Sequence, residues 1–335
     1  MGTNRGRATV ADVAREAGVS KTTVSYVLNN TPHQKIPDAT RQRVHDAVSR
    51  LGYTPSAAAR ALSRGRADTV LLAMPGLPIG PHVAHLIEAL AEDLGKQNLT
   101  LVTHVELPTR PLAQLWRELE PGAVVTFTPV DPAEQRAMRA AGVFLANLLR
   151  SPASTERQAH VLLVPNEEIG EIQVRHLHST GHHNLGYAMP ADARLTPIAE
   201  VRLAGVAAAC RELGLPEPDV RLVPPDTEGA AEAAATWQAA RPRVTAVCAY
   251  NDEVAFALLA GMRKLGLTAP DDLAVIGVDN IPTAPFAAPP LTTVDQDIER
   301  ISAQLAAIIV AGITGKRPPR STHDGILKLT VRESA

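Results

Sequence analysis

The sequence predicts a small all-α head followed by a larger α/β body, and three observations support this division. Three short helical patterns fill the N-terminal stretch. Beyond it, about ten apolar runs alternate with helical patterns, which favours parallel sheets covered by helices on both faces. Ten strands are too many for one small sheet, so we expect two lobes. Charge divides at the same place, because residues 1–66 carry eleven basic and four acidic side chains, a net +7, and the remainder carries −9.

Each helix of the head has its own boundary signals. Thr9 can cap the first helix, with Asp12 three residues later near the positive helix end. Ser20 can cap the second helix, and Pro37 and Gly52 are placed to start and end the third. The apolar positions predicted to form the core of the head are Val10, Val13, Ala14, Ala17, Val24, Val27, Leu28, Val44, Ala47, Val48 and Leu51.

The first two helices, joined by AGVS, form a predicted helix-turn-helix. The second of them begins with small polar side chains that point away from its apolar face: Lys21, Thr22, Thr23 and Ser25. Such short side chains allow a helix to approach base edges in the major groove. The alternative is a plain three-helix bundle with a polar surface, but the basic excess favours DNA binding.

A family resemblance rests on the stretch ATVADVAREAGVSKTTVSYVLNN and the following TRQRVHDAVSRLGYTPSAAARALSRGRADTV. Residues 8–70 closely resemble the headpiece and hinge of the LacI/GalR-type bacterial transcriptional regulators. Tyr26 stands where many members carry Arg, which can bind guanine through two hydrogen bonds as a phenol cannot. The resemblance implies phosphate contacts from Thr9, Ser20, Thr23, Asn29 and Thr40, and base contacts from Lys21, Thr22 and Tyr26.

Residues 56–63, SAAARALS, are rich in alanine but too short to form a stable helix alone in water. The resemblance implies a hinge helix that folds against its dimer mate on DNA, with Ala58 and Ala59 towards the partner. Leu62 matches the leucine that opens the central base step from the minor groove. A simple alanine-rich linker is the alternative.

The body resembles the same family most closely in AVCAYNDEVAFALLAGMRKLGLTAPDDLAVIGVDN and PPLTTVDQD. The implied fold is a two-lobed, type I periplasmic-binding-protein-like α/β core with parallel sheets and three crossovers. The implied domains are a headpiece at 1–54, a hinge at 55–66 and a core at 67–335. Within the core, the N-lobe spans about 67–165 plus 297–322 and the C-lobe about 166–294 plus 323–335.

Four polar residues are implied to line the cleft between the lobes: Arg202, Asn251, Asp279 and Gln296. Three of them lie near the carboxyl ends of predicted strands, where open α/β sheets bind ligands. Capping of strand or helix ends is the alternative for Asn251 and Asp279.

Departures from the family pattern leave the ligand class open. Pro165 stands where a carboxylate is frequent, and Thr227 stands where an aromatic side chain often stacks on a sugar. Only 3% of the chain is aromatic. We therefore expect a small-molecule effector, with a sugar as one candidate class and a vestigial pocket as the alternative.

Other function classes have little support. No apolar run reaches the roughly 18 residues of a membrane helix, and the N-terminus lacks the apolar run of a secretory signal, so we expect no membrane association. Cys210 and Cys248 are expected to be reduced thiols of a cytoplasmic protein. A metal reading of the histidines in HLHSTGHH is disfavoured because Gly181 interrupts their helix.

The sequence and the family resemblance thus predict a DNA-binding transcriptional regulator that acts as a repressor and binds a palindromic operator as a homodimer. We expect it to respond to a small-molecule effector and to need no metal or cofactor. Two alternatives are a solute-binding protein and an α/β enzyme of small-metabolite handling. The missing secretory signal disfavours the first, and the lack of a catalytic motif disfavours the second.

Overall fold

The computed structural model describes residues 8–28, 34–53, 67–76, 78–106, 109–127, 130–148, 160–161, 164–319, 322 and 324–335. Within these ranges the chain forms a three-helix head and an α/β body with two separate sheets. No helix in the described ranges is both long and apolar enough to cross a membrane.

The head contains α1 (Val10–Ala17), α2 (Lys21–Leu28) and α3 (Asp38–Leu51). The predicted capping box is confirmed, because Thr9 Oγ1 accepts from the Asp12 N–H at 3.3 Å and Asp12 Oδ2 accepts from the Thr9 N–H at 3.0 Å. Gly18 and Gly52 end α1 and α3 in the left-handed conformation, with φ of 66° and 59°. The local signals therefore set the helix ends as predicted.

The core of the head is built mainly from the predicted apolar positions, and Val13, Val24, Val44 and Ala47 are fully buried. Leu51 was also predicted for this core, but it is 37% exposed. The chain turns back after Gly52, where the Tyr53 N–H donates to the Val48 carbonyl at 3.0 Å. Tyr53 is 9% exposed and packs in the core at the end of the helix instead.

The N-lobe has a five-stranded parallel sheet in the order β2-β1-β3-β4-β5. Its strands are β1 (Thr69–Met74), β2 (Thr100–Val105), β3 (Ala123–Thr126), β4 (Phe144–Asn147) and β5 (His160–Val161). Its helices are α4 (Pro81–Gly95), α5 (Leu112–Leu119), α6 (Pro132–Ala140) and, from much later in the chain, α11 (Ile298–Ile313). Buried isoleucines of α11 pack with β1 and α4, so this late helix belongs to the N-lobe core.

The C-lobe has a six-stranded sheet in the order β11-β10-β9-β8-β6-β7. Its strands are β6 (Leu185–Pro190), β7 (Asp219–Val223), β8 (Ala246–Ala249), β9 (Ala274–Val278), β10 (Thr292–Gln296) and β11 (Leu327–Thr330). Its helices are α7 (Asn166–Ser179), α8 (Thr196–Glu212), α9 (Thr227–Ala239) and α10 (Asp252–Lys264). The chain passes between the two sheets before α7, before α11 and after α11, which gives the three expected crossovers.

The sequence did not predict β11, and this strand departs from the all-parallel expectation. It pairs antiparallel with β10 at the sheet edge, with Leu329 opposite Val294. Along β11 the exposed Lys328 lies between the half-buried Leu327 and Leu329. An edge strand buried on one face lacks the continuous apolar run by which the parallel strands were recognised.

Candidate nucleic-acid interface and interlobe cleft

Helix α2 is anchored by its apolar face and leaves its first polar residues exposed. Val24 and Val27 are buried against α1 and α3. Lys21 and Thr22 are exposed, whereas Ser25 and Tyr26 are half-buried. This arrangement places two of the predicted base-reading residues, Lys21 and Thr22, at the accessible start of α2, whereas Tyr26 lies further along the helix.

Ser20 fixes the beginning of α2. Its hydroxyl oxygen accepts from the Thr23 N–H at 3.0 Å and lies 2.9 Å from Thr23 Oγ1. The first turn of α2 contains no acidic side chain. The first turn of α2 therefore places no carboxylate of its own at the positive helix end, as suits a phosphate.

The start of α1 is different. The Thr9 hydroxyl donates to Asp12 Oδ2 at 2.7 Å. Hydrogen bonds from Thr9 hold the pKa of Asp12 below its usual value, so a carboxylate already occupies this helix end. Thr40, in α3, is half-buried and accepts from Arg43 Nη2 at 3.4 Å. The predicted contacts Asn29, Ala59 and Leu62 lie outside the described residues.

Two glycines allow the close packing that places Arg202 in the cleft. A Cβ at Gly205 of α8 would lie 1.9 Å from the Glu167 carbonyl oxygen of α7. A Cβ at Gly170 of α7 would lie 2.3 Å from the Arg202 carbonyl oxygen. Because both obstacles are backbone atoms, α7 and α8 can approach this closely only with glycine at these positions.

Arg202 is 6% exposed, and its guanidinium is bound on several sides. Its Nε donates to Asn166 Oδ1 at 3.0 Å, and its Nη1 donates to the Tyr250 carbonyl at 2.6 Å. The guanidinium carbon lies 4.7 Å from the centre of the Tyr250 ring. Arg202 is therefore held rigidly beside the carboxyl end of β8.

Asp279 is approached by side chains from three other elements, β10, α8 and α4. It directly follows β9 with a φ of 102°, and its side chain is 9% exposed. Gln296 Nε2 donates to Asp279 Oδ1 at 2.6 Å, and Arg202 Nη2 lies 3.9 Å from the same oxygen. From the N-lobe, His82 Nδ1 approaches this oxygen to 3.7 Å. The structure thus brings together Arg202, Asp279 and Gln296, three of the four residues that the family resemblance implies for the cleft.

Asn251 lies at the same sheet edge but is engaged in capping α10. Its Oδ1 accepts from the Val254 N–H at 3.0 Å, and its Nδ2 donates to Glu253 Oε2 at 3.3 Å. The capping alternative therefore describes the geometry of Asn251.

Comparison with known proteins decides the family. Residues 9–56 match the model described as bacterial regulatory proteins, lacI family, and residues 174–335 match the periplasmic binding protein-like domain. The chain is 30% identical to the transcriptional repressor PurR of Photobacterium profundum over 337 residues, with 98% of each chain covered. It is 31% identical to the transcriptional regulator GalR of Escherichia coli over 328 residues, covering 94% of this chain and 92% of GalR. The chain belongs to the lacI family of bacterial regulatory proteins.

The solved structure of a lac repressor dimer bound to operator and the anti-inducer ONPF has the same fold. Its TM-score is 0.80 at 21% identity, and the match covers 98% of this chain and 99% of that one. As a lacI-family member, the protein is a DNA-binding transcriptional regulator and not an enzyme. Membership excludes the two alternatives, the solute-binding protein and the metabolic enzyme.

Several residues of this lacI-family cleft were not predicted from the sequence. Asn166 and Tyr250 hold Arg202, and His82 reaches Asp279 from the other lobe. Asp252 is fully buried directly after Asn251, where its Oδ1 accepts from Thr293 Oγ1 at 2.6 Å and its Oδ2 from the Ile281 N–H at 2.9 Å. The acidic residue in CAYND was the available signal for Asp252, but only the folded chain shows the contacts of His82.

Burial of Asp252 makes the stability of this regulator depend on pH. Desolvation raises the pKa of Asp252 from 3.8 to about 7, so the folded chain favours the protonated carboxyl. The resulting contribution to stability is fully present below about pH 4 and is lost as pH rises through about 7. We expect Asp252→Asn to remove this dependence and to raise the free energy of unfolding at pH 8 by about 3 kcal/mol.

Urea unfolding at several pH values between 5 and 8 would measure this effect. The amide of the variant can still accept from the Ile281 N–H and donate to the Thr293 hydroxyl. Asp271→Asn, an exposed change in the same lobe, is the control and should preserve the pH dependence. An equally steep pH dependence in Asp252→Asn and the unmodified chain would contradict the assignment.

Proposed function

We propose that this lacI-family regulator represses transcription by binding a palindromic operator as a homodimer, and that a small-molecule effector in the interlobe cleft modulates this binding. One observation carries the proposal: a helix-turn-helix with an open α2 N-terminus precedes a two-lobed body whose polar residues converge at the carboxyl ends of its strands. Because bacterial operators lie in the cytoplasm, the proposal places the protein there.

In the proposed complex, α2 enters the major groove. Lys21, Thr22 and Tyr26 face bases, while Ser20 and Thr23 hold phosphate at the helix N-terminus. Ser25, Thr9, Asn29 and Thr40 supply the remaining contacts of the head. A two-fold dimer then reads two half-sites about one helical turn apart.

The proposed domain organisation assigns 1–54 to the headpiece, 55–66 to the hinge and 67–335 to the core. In the hinge, Leu62 inserts into the minor groove and Ala59 packs towards the partner. The described elements support the division of the core, because α11 packs on the N-lobe while β10 and β11 complete the sheet of the C-lobe.

The cleft suits a neutral ligand rich in hydroxyl groups. Asp279 supplies a carboxylate and Gln296 an amide, while Asn166 and the Tyr250 carbonyl already occupy part of Arg202. An anion would therefore meet an arginine whose charge Asp279 partly offsets. The competing proposal is an effector-independent core. The hydrogen bonds that Arg202 and Asp279 already make within the protein favour this alternative.

A thermal-shift screen of sugars, nucleosides and small acids tests the effector site. We expect a stabilising compound to change operator affinity by about 5–150-fold, a coupling of roughly 1–3 kcal/mol. Asp279→Ala should abolish both the thermal stabilisation by this compound and the accompanying change in operator affinity.

Asp219→Ala is the matched control. Asp219 lies on β7, outside the proposed site, and pairs with Arg221. Full stabilisation of Asp279→Ala by the same compound would contradict the cleft assignment. If no compound in a broad screen stabilises the protein, the effector-independent core is favoured.

A further inference from the structure

Three contacts join the two lobes at the mouth of the cleft, and all three meet the segment between β1 and the first turn of α4. The C-lobe contributes Arg194, Glu253 and Asp279, and the N-lobe contributes Gly76, Gly80 and His82. We propose that these contacts form a latch that closes the cleft without a small molecule. The regulatory consequence of the latch rests on the proposed function, whereas the closure itself does not.

The first contact is between His82 and Asp279. His82 Nδ1 lies 3.7 Å from Asp279 Oδ1, with the two side chains 20% and 9% exposed. Gln296 donates to this same oxygen. His82 therefore occupies the side of the carboxylate that faces the N-lobe, and a ligand that binds Asp279 from this side has to displace it.

The second contact is made by Arg194, whose guanidinium is paired with Asp192 in the same lobe. Arg194 Nε lies 2.9 Å from Asp192 Oδ1, and Arg194 Nη2 lies 2.5 Å from Asp192 Oδ2. These hydrogen bonds hold the pKa of Asp192 at about 2, so the pair stays charged at neutral pH. The remaining nitrogen, Nη1, donates to the Gly76 carbonyl at 2.8 Å across the cleft. Because the carboxylate fixes the plane of the guanidinium, little freedom is lost when this interlobe hydrogen bond forms.

The third contact places a C-lobe carboxylate at the start of α4. Gly80 is the N-cap of α4 and has no side chain with which to cap the helix. A Cβ at position 80 would lie 2.7 Å from Glu253 Oε2, so the carboxylate comes this close because glycine leaves the space free. Asn251 Nδ2 donates to Glu253 Oε2 and holds it in place. A negative charge at the N-terminal end of a helix is stabilising.

The latch suggests how the proposed effector changes the arrangement of the two lobes. A ligand changes operator affinity only by binding the two lobe arrangements differently. Since the closed arrangement needs no ligand, an effector that displaces His82 from Asp279 acts by releasing the latch. Substitutions that break the latch should therefore change operator affinity in the same direction as such an effector.

The test measures the distance between the lobes in the full chain without DNA or added ligand. Spin labels are placed at Glu88→Cys in the N-lobe and Glu200→Cys in the C-lobe, both at exposed helix positions. The native Cys210 and Cys248 are fully buried and do not compete for the label. Labelled chains are diluted with excess unlabelled chain so that a dimer carries at most one labelled protomer, and we then expect one narrow distance distribution in the unmodified background. The triple variant His82→Ala, Arg194→Ala, Glu253→Gln should give a broader distribution shifted to longer distances.

His85→Ala is the matched control. His85 lies one turn along α4 from His82, and its partner Glu299, at 3.1 Å, belongs to the same lobe. This variant should retain the narrow distribution. A broad distribution in the unmodified chain, or a triple variant that keeps the narrow one, would overturn the latch.

Operator affinity of the same variants separates the latch from the proposed function. An affinity change of about 5-fold or more in the triple variant, but not in His85→Ala, supports regulation through the latch. Opening without any affinity change would overturn the regulatory part. If even the unmodified chain binds no DNA sequence specifically, the proposed function fails, and the distances alone decide whether the latch exists.

Discussion

Gly205→Ala should lower the free energy of unfolding of the C-lobe by roughly 3 kcal/mol, a large effect for one added methyl group. The new Cβ would lie 1.9 Å from the Glu167 carbonyl oxygen, and a backbone atom cannot move aside as a flexible side chain can. Helices α7 and α8 would have to separate, which would pull Arg202 away from Asn166. Thermal or urea unfolding would measure the loss.

Gly95→Ala provides the control for this substitution. Gly95 is the last residue of α4, and a Cβ there would meet no atom within 4 Å. Alanine has the higher helix propensity, so this variant should be unchanged or up to about 1 kcal/mol more stable. If the two variants lost equal stability, the close approach of α7 and α8 at Gly205 would not be the cause.

Operator affinity should fall by roughly 10³-fold or more between about 50 and 200 mM salt. The physical cause is the release of counterions from DNA by the basic head, which carries a net +7 over residues 1–66. The rest of the chain carries −9, so the attraction to phosphate comes from the head. Fluorescence anisotropy over a series of salt concentrations would give the slope of log affinity against log salt.

Two lysine variants locate the source of this slope. Lys21→Ala, at the exposed start of α2, should reduce the slope because it removes one positive charge from the head, and should also relax the base preference because the proposed complex places Lys21 against bases. Lys328→Ala, on the exposed edge strand β11 of the body, should leave the slope unchanged. A salt-independent affinity in the unmodified chain would contradict binding through the basic head.

Features set by neighbouring residues could be predicted from the sequence. The Thr9 cap of α1 and the end of α3 at Gly52 depend on contacts within a few residues, and both were found as expected. The central parallel strands β1, β3, β6, β8 and β9 were recognised because burial on both faces requires continuous apolar runs. The convergence of Arg202, Asp279 and Gln296 followed from a family resemblance, together with the positions of Asp279 and Gln296 near strand ends.

Features that depend on distant contacts could not be predicted in this way. Leu51 follows the apolar pattern of α3, but Tyr53 takes the place at the end of the core. His82 lies far from Asp279 in sequence, and no local pattern indicates that the two lobes bring them together. The capping role of Asn251 depends on where α10 begins, which sequence patterns fix only within a few residues.

Selection from a random duplex library, followed by affinity measurements on the enriched sequence, tests whether this protein binds DNA sequence-specifically. We expect a single two-fold symmetric sequence, bound by two chains, with affinity at least about 10³-fold above that for unrelated DNA. A library that enriches no sequence, or equal affinity for the enriched and unrelated duplexes at physiological salt, would contradict sequence-specific regulation by this protein.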